Sequence, residues 1–587
     1  MPDTQSSLPL EFRFSLVLSG GIALGSYIAG VLTQLYADLE ALNSHPTLSQ
    51  SLKFEIDVIA GASAGSITGL TLARAIVTGA SPRAFGNAIS DCWVRDLSVQ
   101  HFLQFPEDVS QGVISGKSLE EVARQVFAVL PELNAPSPET PDARKERQQR
   151  AEGRSVALWL SLTNLSGTPF CVNFNRPDHP QTSRPILFAN DYRDCIAYYL
   201  TPNETRKVCL AETKRAKVKQ GIVALRSVRP PDRVREVAEE PTTWDSIKDS
   251  AVASGAFPIA FQSRPQVRDL TQNEGFNSLL ETISQSGEEV TFPTQAMFHF
   301  VDGGIFNNQP IGRAIEASLY QEERRENKRE NHRIYLVIEP DPVSAQSLAD
   351  SLRNSTREAE SSPHGLPPLS AIARVVGAYF NHALASDFLE AQRINERVTA
   401  LDAELKNIHL EDKDEETLLK GRIKKAAGLG HQRPITLEHI PLCDKPLRPS
   451  RLAGDFMGHF GGFLREDLRE YDYALGKCEA REWLEAWLES VLSEDESLLP
   501  KAQIEENLRQ IFAHSQPIMP GTDLSAVGWD NPDDLNSLTK SERDEIKGLL
   551  LGRIKPLLIR WIRSPRILLG VMYVAFRVFL LKITRRG

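Results

Sequence analysis

Short apolar runs alternate with segments of helical spacing along the first part of the chain. Residues 14–18 form a partly β-branched apolar run that ends at Ser19-Gly20-Gly21, and helically spaced apolar residues follow. That spacing is carried by Ile28, Val31, Leu32 and Leu35. The pattern predicts a buried strand, a glycine turn and a helix with one apolar face.

The same arrangement recurs at residues 56–60. This apolar run leads into Gly61-Ala62-Ser63-Ala64-Gly65, behind which Ile67, Leu70 and Ala73 share one side of a helix of small residues. Further strand candidates lie at 156–162, 297–301 and 334–338. Strands that alternate with helices predict a three-layer α/β fold with a mainly parallel central sheet.

Polar stretches divide the chain into parts. Three stretches are rich in charged residues, and two of these are also rich in proline. We expect them to be solvated loops, at 136–153, 321–332 and 353–368. From 369 to about 497 the pattern is mostly helical, with segments at 372–398 and 480–492. We expect a first domain at 12–345 with an insertion at about 136–153, a linker at 346–368, a helical extension at 369–500 and a C-terminal region at 501–587.

Composition narrows the class of protein. The 587 residues are 41% hydrophobic and 25% charged, which excludes a disordered, collagen-like or many-spanning membrane protein. The six cysteines form no C-x-x-C pair, so neither a disulfide scaffold nor a structural zinc site is expected. Residues 1–12 lack a basic and apolar leader, so we expect no secretory signal and a cytoplasmic location.

Charge is distributed unevenly. Residues 547–587 carry ten basic side chains and no acidic one, whereas the rest of the chain has 57 basic and 77 acidic residues, a net charge of −20. An acidic body argues against nucleic acid as a partner. Because the tail is also apolar, we expect it to bind an anionic membrane surface and to hold the protein at the inner face of the membrane.

The tail is too short to predict a membrane span. Its apolar stretch at 567–581 has fifteen residues interrupted by Arg577, against about 20 for a spanning helix. An in-plane helix or a re-entrant anchor fits better. Docking of the tail on the body, or pairing with another subunit, remains an alternative, and the sequence gives no oligomeric state.

Candidate chemistry starts at Ser63. The pentapeptide Gly61-Ala62-Ser63-Ala64-Gly65 fits G-x-S-x-G and stands between a predicted strand and a predicted helix. A serine on such a sharp turn projects its hydroxyl at the positive end of the helix, and glycines on either side allow the bend. A flexible glycine-serine turn is the alternative, and the flanking strand and helix favour a nucleophile.

A serine hydroxyl needs a base, and Asp302 is the best candidate. It follows the apolar run at 297–301 and precedes Gly303 and Gly304, which leave room for a substrate or another backbone to approach the carboxylate. A plain turn aspartate is the alternative. An unperturbed Asp has a pKa of about 3.9, so this base must act through its position and through partial desolvation.

Acyl transfer also needs donors for an oxyanion. Backbone N–H groups of Gly20, Gly21 and Ile22, at a glycine turn that opens a helix, supply them. The turn lacks both G-x-G-x-x-G and G-x-x-x-x-G-K-[ST], so nucleotide binding is not expected. No metal-ligand spacing occurs, and we expect neither a metal nor another cofactor.

These blocks, in this order, resemble the patatin-like phospholipases. In that family a glycine-rich oxyanion block precedes the serine of G-x-S-x-G, and the base is the Asp of a D-G-G or D-G-A motif. Ser63 and Asp302 stand at those two positions, and the resemblance implies a Ser-Asp dyad without histidine. It covers about residues 12–345 and implies the patatin fold.

Other segments carry the resemblance further. Residues 162–167, 253–258 and 307–310 are similar to the family's middle strand, its helix-and-proline block and the Asn-rich stretch after its Asp. Residues 386–395 and 468–477 look like those of larger bacterial members with a helical extension. These last two imply helix packing and no catalytic role.

One departure affects the oxyanion block, which in the family reads G-G-G-x-R/K-G. Ile22 replaces the third glycine, and Leu24 replaces the basic residue. The backbone donors survive Ile22 if its φ is negative. Loss of the cation removes favourable charge near the oxyanion and puts the rate and substrate preference in question.

The resemblance implies a serine acyl hydrolase of the phospholipase A type, which cleaves fatty-acyl esters of membrane glycerolipids through an acyl-enzyme. Two alternatives stay open. One is a catalytically weak or silent membrane-binding scaffold, supported by Ile22 and Leu24. The other is an esterase or thioesterase for soluble acyl compounds.

Overall fold

A ten-stranded mixed sheet organises the computed structural model of this chain. The structure describes residues 9–103, 116–133, 139–173, 185–208, 239–258, 260–269, 295–325, 332–340, 353, 388–410, 412–427, 429, 434–440, 452–453, 459–494, 501–513 and 548.

The strands confirm the predicted class. They are β1 (Leu10–Leu18), β2 (Leu52–Gly61), β3 (Val156–Asn173), β4 (Pro185–Leu200), β5 (Thr205–Val208), β6 (Glu239–Pro241), β7 (Arg264–Asp269), β8 (Gln295–Asp302), β9 (His332–Ile338) and β10 (Thr436–Ile440). Their order is β10-β9-β1-β2-β3-β4-β5-β6, and β8 pairs with β3 and β7. From β10 to β3 neighbouring strands are parallel, and the other pairs are antiparallel. Every predicted strand lies within an observed one.

Helices cover both faces of the sheet. They are α1 (Gly25–Ser44), α2 (Ala64–Thr78), α3 (Pro82–Ser90), α4 (Val99–Leu103), α5 (Gly116–Val129), α6 (Pro141–Ala151), α7 (Trp244–Ser254), α8 (Ile311–Arg324), α9 (388–406), α10 (Lys413–Ala426), α11 (Glu466–Glu494) and α12 (Lys501–Ala513). Alternate side chains of the parallel strands enter two separate cores. One core contains α1, α2, α7 and α11, and the other contains α8 and the start of α9.

Helix α1 is buried around most of its circumference rather than on one face as expected. Tyr27, Gln34 and Asp38 are all at most 4% exposed. The reason is that α11 packs directly against α1 on the same face of the sheet. Among the described residues, Ile22–Ser44 is the one stretch long and apolar enough to cross a membrane, and 89% of its apolar window is buried inside the protein.

Two of the three expected loops contain regular structure instead. Within 136–153, α6 begins after the capping residue Thr140, and its Arg147 is buried while donating to backbone carbonyls. Within 321–332, α8 continues to Arg324, and buried Gln321 donates to the carbonyl of Asp57. Tertiary contacts therefore order segments whose charge alone predicted solvation. The third stretch, 353–368, lies outside the described residues apart from residue 353.

The extension contributes a strand as well as helices. β10 pairs in parallel with β9, and the side chain of Asn395 bonds both backbone groups of Ile435 just before β10. Asn395 belongs to the segment that resembled larger family members, and its observed role is structural. Of the predicted tail at 547–587, all residues except 548 lie outside the described part of the chain.

Candidate active site

Ser63 occupies the turn between β2 and α2. Its φ is 53° and its ψ is −122°, a conformation that non-glycine residues rarely adopt and that surrounding structure must enforce. The side chain is 5% exposed and stands at the N-terminus of α2. This is the strained strand-to-helix turn that the G-x-S-x-G spacing predicts.

The two glycines of this motif are required by close packing. A Cβ atom on Gly65 would lie 2.3 Å from the carbonyl oxygen of Leu18, and one on Gly61 would lie 2.7 Å from that of Gly65. Side chains here would push α2 away from the end of β1. The spacing of the motif therefore fixes how tightly the helix carrying Ser63 sits on the sheet.

Asp302 lies at the end of β8, opposite Leu162 of β3. Ser63 Oγ donates to Asp302 Oδ2 at 2.5 Å, and Gly304 N donates to Asp302 Oδ1 at 2.7 Å. A Cβ on Gly303 would lie 2.0 Å from the carbonyl oxygen of Ser161, so this glycine lets the turn pack against β3. The two candidate residues, 239 positions apart, are thus in direct contact.

Burial changes the acid-base behaviour of this carboxyl group. Asp302 is 3% exposed, and its burial raises its pKa to about 7, although the hydrogen bonds from Ser63 Oγ and Gly304 N lower it. No positively charged partner is among the causes of the shift. A carboxylate with a pKa of this size is a much stronger base than an ordinary aspartate.

A third buried residue, Ser254, holds the backbone of Ser63. Ser63 N donates to Ser254 Oγ at 3.1 Å, and Ser254 Oγ donates to the carbonyl of Ser161 at 2.6 Å. Because a hydroxyl has one proton, Ser66 Oγ, at 2.7 Å, must donate to Ser254. The sequence placed Ser254 in a family-like block but gave it no role.

The glycine turn lies directly against Ser63, but one of its expected donors is occupied. A Cβ on Gly20 would lie 2.9 Å from Ser63 Cβ. Gly20 N donates to Asn308 Oδ1 at 2.9 Å, and Asn308 Nδ2 donates back to the carbonyl of Gly20 at 3.4 Å. Gly20 therefore does not offer its N–H to an oxyanion in this conformation. Asn308, which the sequence pointed to without a role, holds the turn in place.

Ile22 does not meet the condition set for it, because its φ is +52° rather than negative. A positive φ strains the backbone of Ile22, where glycine would adopt it at no cost, but it leaves the N–H group in place, so the donor survives although the expected condition fails. Within the described part of the chain, the N–H groups of Gly21 and Ile22 have no acceptor, whereas Ala23 N donates to the carbonyl of His459 at 3.1 Å. These two N–H groups are the remaining candidate oxyanion donors. The Leu24 side chain is completely buried and serves packing.

No group of three or more His, Cys, Asp or Glu residues that could hold a metal ion occurs among the residues described. The chemistry that this arrangement can perform uses a hydroxyl, a carboxylate and backbone N–H groups.

Comparison with known proteins gives a family match to the region that contains this site. A family model described as patatin-like phospholipase matches residues 16–315. An uncharacterized protein of Sinorhizobium fredii is 24% identical over 508 residues, which cover 81% of this chain and 64% of that protein. An uncharacterized membrane protein of Mycobacterium tuberculosis is 22% identical over 423 residues, which cover 66% of this chain and 32% of that protein. The chain thus spans less than two thirds of the length of either relative.

Among solved structures, the crystal structure of VipD from Legionella pneumophila is matched over 86% of this chain and 88% of that one. The identity is 10% and the TM-score is 0.22, which is too low to support any argument.

Proposed function

Given that the chain belongs to the patatin-like phospholipase family, we propose that it is a serine acyl hydrolase that cleaves fatty-acyl esters of membrane glycerolipids. The family supports lipid acyl hydrolysis in general. The observation that carries the specific proposal is the buried 2.5 Å hydrogen bond from Ser63 Oγ to Asp302 Oδ2.

In the proposed first step, Asp302 Oδ2 takes the proton of Ser63 Oγ as that oxygen attacks the ester carbonyl. The carbonyl oxygen becomes an oxyanion, for which Gly21 N and Ile22 N are the proposed donors. Asp302 then gives the proton to the departing alcohol oxygen as its bond to carbon breaks. The products are an acyl ester on Ser63 and a free lysolipid.

In the second step, water replaces the alcohol. The water oxygen attacks the acyl ester while Asp302 takes a proton from that water. Asp302 then gives the proton to Ser63 Oγ as the fatty acid leaves. No metal or cofactor takes part in these steps. A raised pKa of Asp302 supports both directions of proton transfer near neutral pH.

Energetic considerations support catalysis over a silent scaffold. A positive φ at Ser63 and a buried carboxylate that has no cationic partner among the described residues both cost stability, and such features concentrate at functional sites. Two observations at the oxyanion turn favour the scaffold: the positive φ of Ile22, and Leu24 in place of a basic residue.

The test is the release of fatty acid from phospholipid vesicles and the cleavage of a soluble four-carbon ester. We expect wild type to act on vesicles, and Ser63→Ala and Asp302→Asn each to lower kcat by about a thousandfold or more. Asp245→Asn, at an exposed aspartate of α7, is the matched control and should keep full activity.

The substrates separate the alternatives. Cleavage of the soluble ester without action on vesicles would favour the esterase, and equal rates for wild type and both dyad variants on every substrate would favour the scaffold.

The location and the domain division are parts of the same proposal. We place the protein at the cytoplasmic surface of the membrane, bound through the basic and apolar residues 547–587. We keep 12–345 as the catalytic domain, with 346–368, 369–500 and 501–587 as the following parts.

A further inference from the structure

The residues around the oxyanion turn include a segment of the C-terminal extension. Residues 459–464, which we call the capping segment, contain His459, Phe460 and the 3-10 turn Gly461–Leu464. Ala23 N, next to the candidate oxyanion donors, donates to the carbonyl of His459 at 3.1 Å. The capping segment thus touches the oxyanion turn directly, although it lies almost 400 residues beyond Ser63 in sequence.

On its other side the capping segment meets the residues behind Asp302. The rings of Phe460 and Phe257 are 6.0 Å apart in an edge-on contact. Phe257 directly follows Ala256, whose carbonyl accepts from Asp302 N at 3.0 Å. Contacts therefore run from Ser63 through the glycine turn, the capping segment and Phe257 to Asp302, and return to Ser63 through the dyad.

Three buried aromatic rings pack against the pair formed by Phe460 and Phe257. Phe463 lies between Phe460 and Phe102, with ring distances of 6.1 and 5.0 Å, and Phe102 contacts Phe261 at 5.8 Å. Phe261 N donates to the carbonyl of Phe257, which closes the set. Phe102, Phe261 and Phe463 are at most 8% exposed. Phe257 and Phe460 are half-buried, so they present apolar surface at the edge of the set.

We propose that Phe460 determines acyl-chain specificity: with Phe257 it forms an aromatic wall beside the oxyanion turn that binds the hydrocarbon chain of the substrate. The inference rests on the proposed function and names which part of the substrate the extension contacts. Two half-buried rings fixed by three buried ones offer a rigid apolar surface, which suits a hydrocarbon chain and offers nothing to a polar headgroup.

The test compares p-nitrophenyl esters of four-carbon and sixteen-carbon acids. Phe460→Ala is expected to lower kcat/KM for the long ester by about tenfold or more and that for the short ester by less than about threefold. Phe460→Leu, which keeps apolar bulk, should recover part of the loss. Phe388→Ala is the matched control, because Phe388 is a half-buried phenylalanine of the same extension in the core on the opposite face of the sheet.

Binding to the Ser63→Ala protein gives a readout that does not depend on catalysis. Calorimetric titration with a sixteen-carbon fatty acid should show affinity about tenfold weaker when Phe460→Ala is added. Equal losses on both esters, or affinity and rates unchanged by Phe460→Ala, would overturn the aromatic wall. Failure of the proposed function has a different signature, namely equal ester rates for wild type and Ser63→Ala.

Discussion

At the scale of single residues, the site combines a strained serine with a buried aspartate for which the described part of the chain supplies no cationic partner. Ser63 has a positive φ, and burial raises the pKa of Asp302 to about 7. Both conditions oppose folding, and the raised pKa favours proton transfer near neutral pH. The geometry therefore predicts measurable effects of pH on rate and on stability.

The first prediction concerns the pH dependence of the rate. Because only ionised Asp302 can accept the proton of Ser63, kcat/KM should fall about tenfold per pH unit below a pKa near 7 and level off above it. The profile is measured on a soluble ester whose own ionisation is constant. An inflection near pH 4, where an unperturbed aspartate titrates, would show that burial does not control this base.

The second prediction concerns stability. The pKa of Asp302 is higher in the folded protein than in the unfolded chain, so the folded state favours the protonated carboxyl. The protein is therefore most stable, with respect to this group, below about pH 4. That stability is lost as the pH rises to about 7, where ionised Asp302 imposes a penalty on the folded state. Asp302→Asn removes this penalty, which amounts to at most about 4 kcal/mol at pH 8. Thermal melts should show the inactive variant several degrees more stable than wild type at pH 8, with the gap closing by pH 4. A variant less stable at pH 8 would contradict the assignment.

The third prediction concerns Ile22. Its φ of +52° suits glycine, so Ile22→Gly should leave kcat within about threefold of wild type, since relief of strain offsets lost packing. Ile22→Pro fixes φ near −65° and removes the N–H, and should lower kcat by about a hundredfold or more. Circular dichroism checks that both variants fold. Full activity of the proline variant would exclude Ile22 as a donor.

The residues that sequence could suggest were those in motifs. Ser63 and Asp302 stand where G-x-S-x-G and D-G-G indicate, and the structure brings their side chains into contact. Ser254, Asn308 and His459 hold the site through hydrogen bonds from distant parts of the chain. Such contacts depend on how elements meet in space, so no local pattern shows them.

At the scale of elements, α1 and α11 form one of the contacts that join the extension to the body. Tyr27 donates to Glu479, Tyr473 donates to Thr33, and Arg481 donates to both carboxylate oxygens of Asp38 at 2.8 and 2.5 Å. The ion pair is almost fully buried, with 3% and 1% of its side chains exposed. Since α1 begins at the oxyanion turn, this contact also supports the site.

The fourth prediction follows from that ion pair. Arg481→Ala leaves Asp38 buried without its cation and should destabilise the protein by about 3–5 kcal/mol. Arg124→Ala, which breaks the exposed pair with Glu121, is the matched control and should cost far less, because water screens an exposed pair. Chemical denaturation measures both. Similar small losses in the two variants would mean that α11 is not held by this pair.

Apolar periodicity predicted the core elements and failed at the polar ones. The runs at 14–18 and 56–60 became β1 and β2 because they are apolar enough to be buried on both faces of the sheet. Helix α6 could not be expected, because its order depends on the buried contacts of Arg147. The sequence pattern predicts a helical region around β10, and pairing with β9 makes this segment a strand.

At the scale of the whole molecule, we propose that the acidic body carries out the chemistry and that the basic tail binds the membrane. The family match covers residues 16–315, which include the dyad and the glycine turn. The tail at 547–587 follows far beyond it, so its role rests on composition alone.

The fifth prediction tests that role. Truncation after Glu545 should abolish co-sedimentation with vesicles of anionic phospholipid and leave hydrolysis of a soluble ester within about twofold of wild type. Raising the salt concentration should weaken binding of the full chain, because charge attraction is screened. Unchanged binding of the truncated protein would reject the tail as the membrane anchor.

The central claim is that Ser63 is a nucleophile activated by Asp302. A fluorophosphonate probe tests it directly, because the attacking oxygen bonds to phosphorus while fluoride leaves, and the adduct stays for mass spectrometry of peptides. The account predicts one adduct on the peptide that contains Ser63, none in Ser63→Ala, and much slower labelling in Asp302→Asn. An adduct on another residue, or equal labelling of wild type and Asp302→Asn, would contradict it.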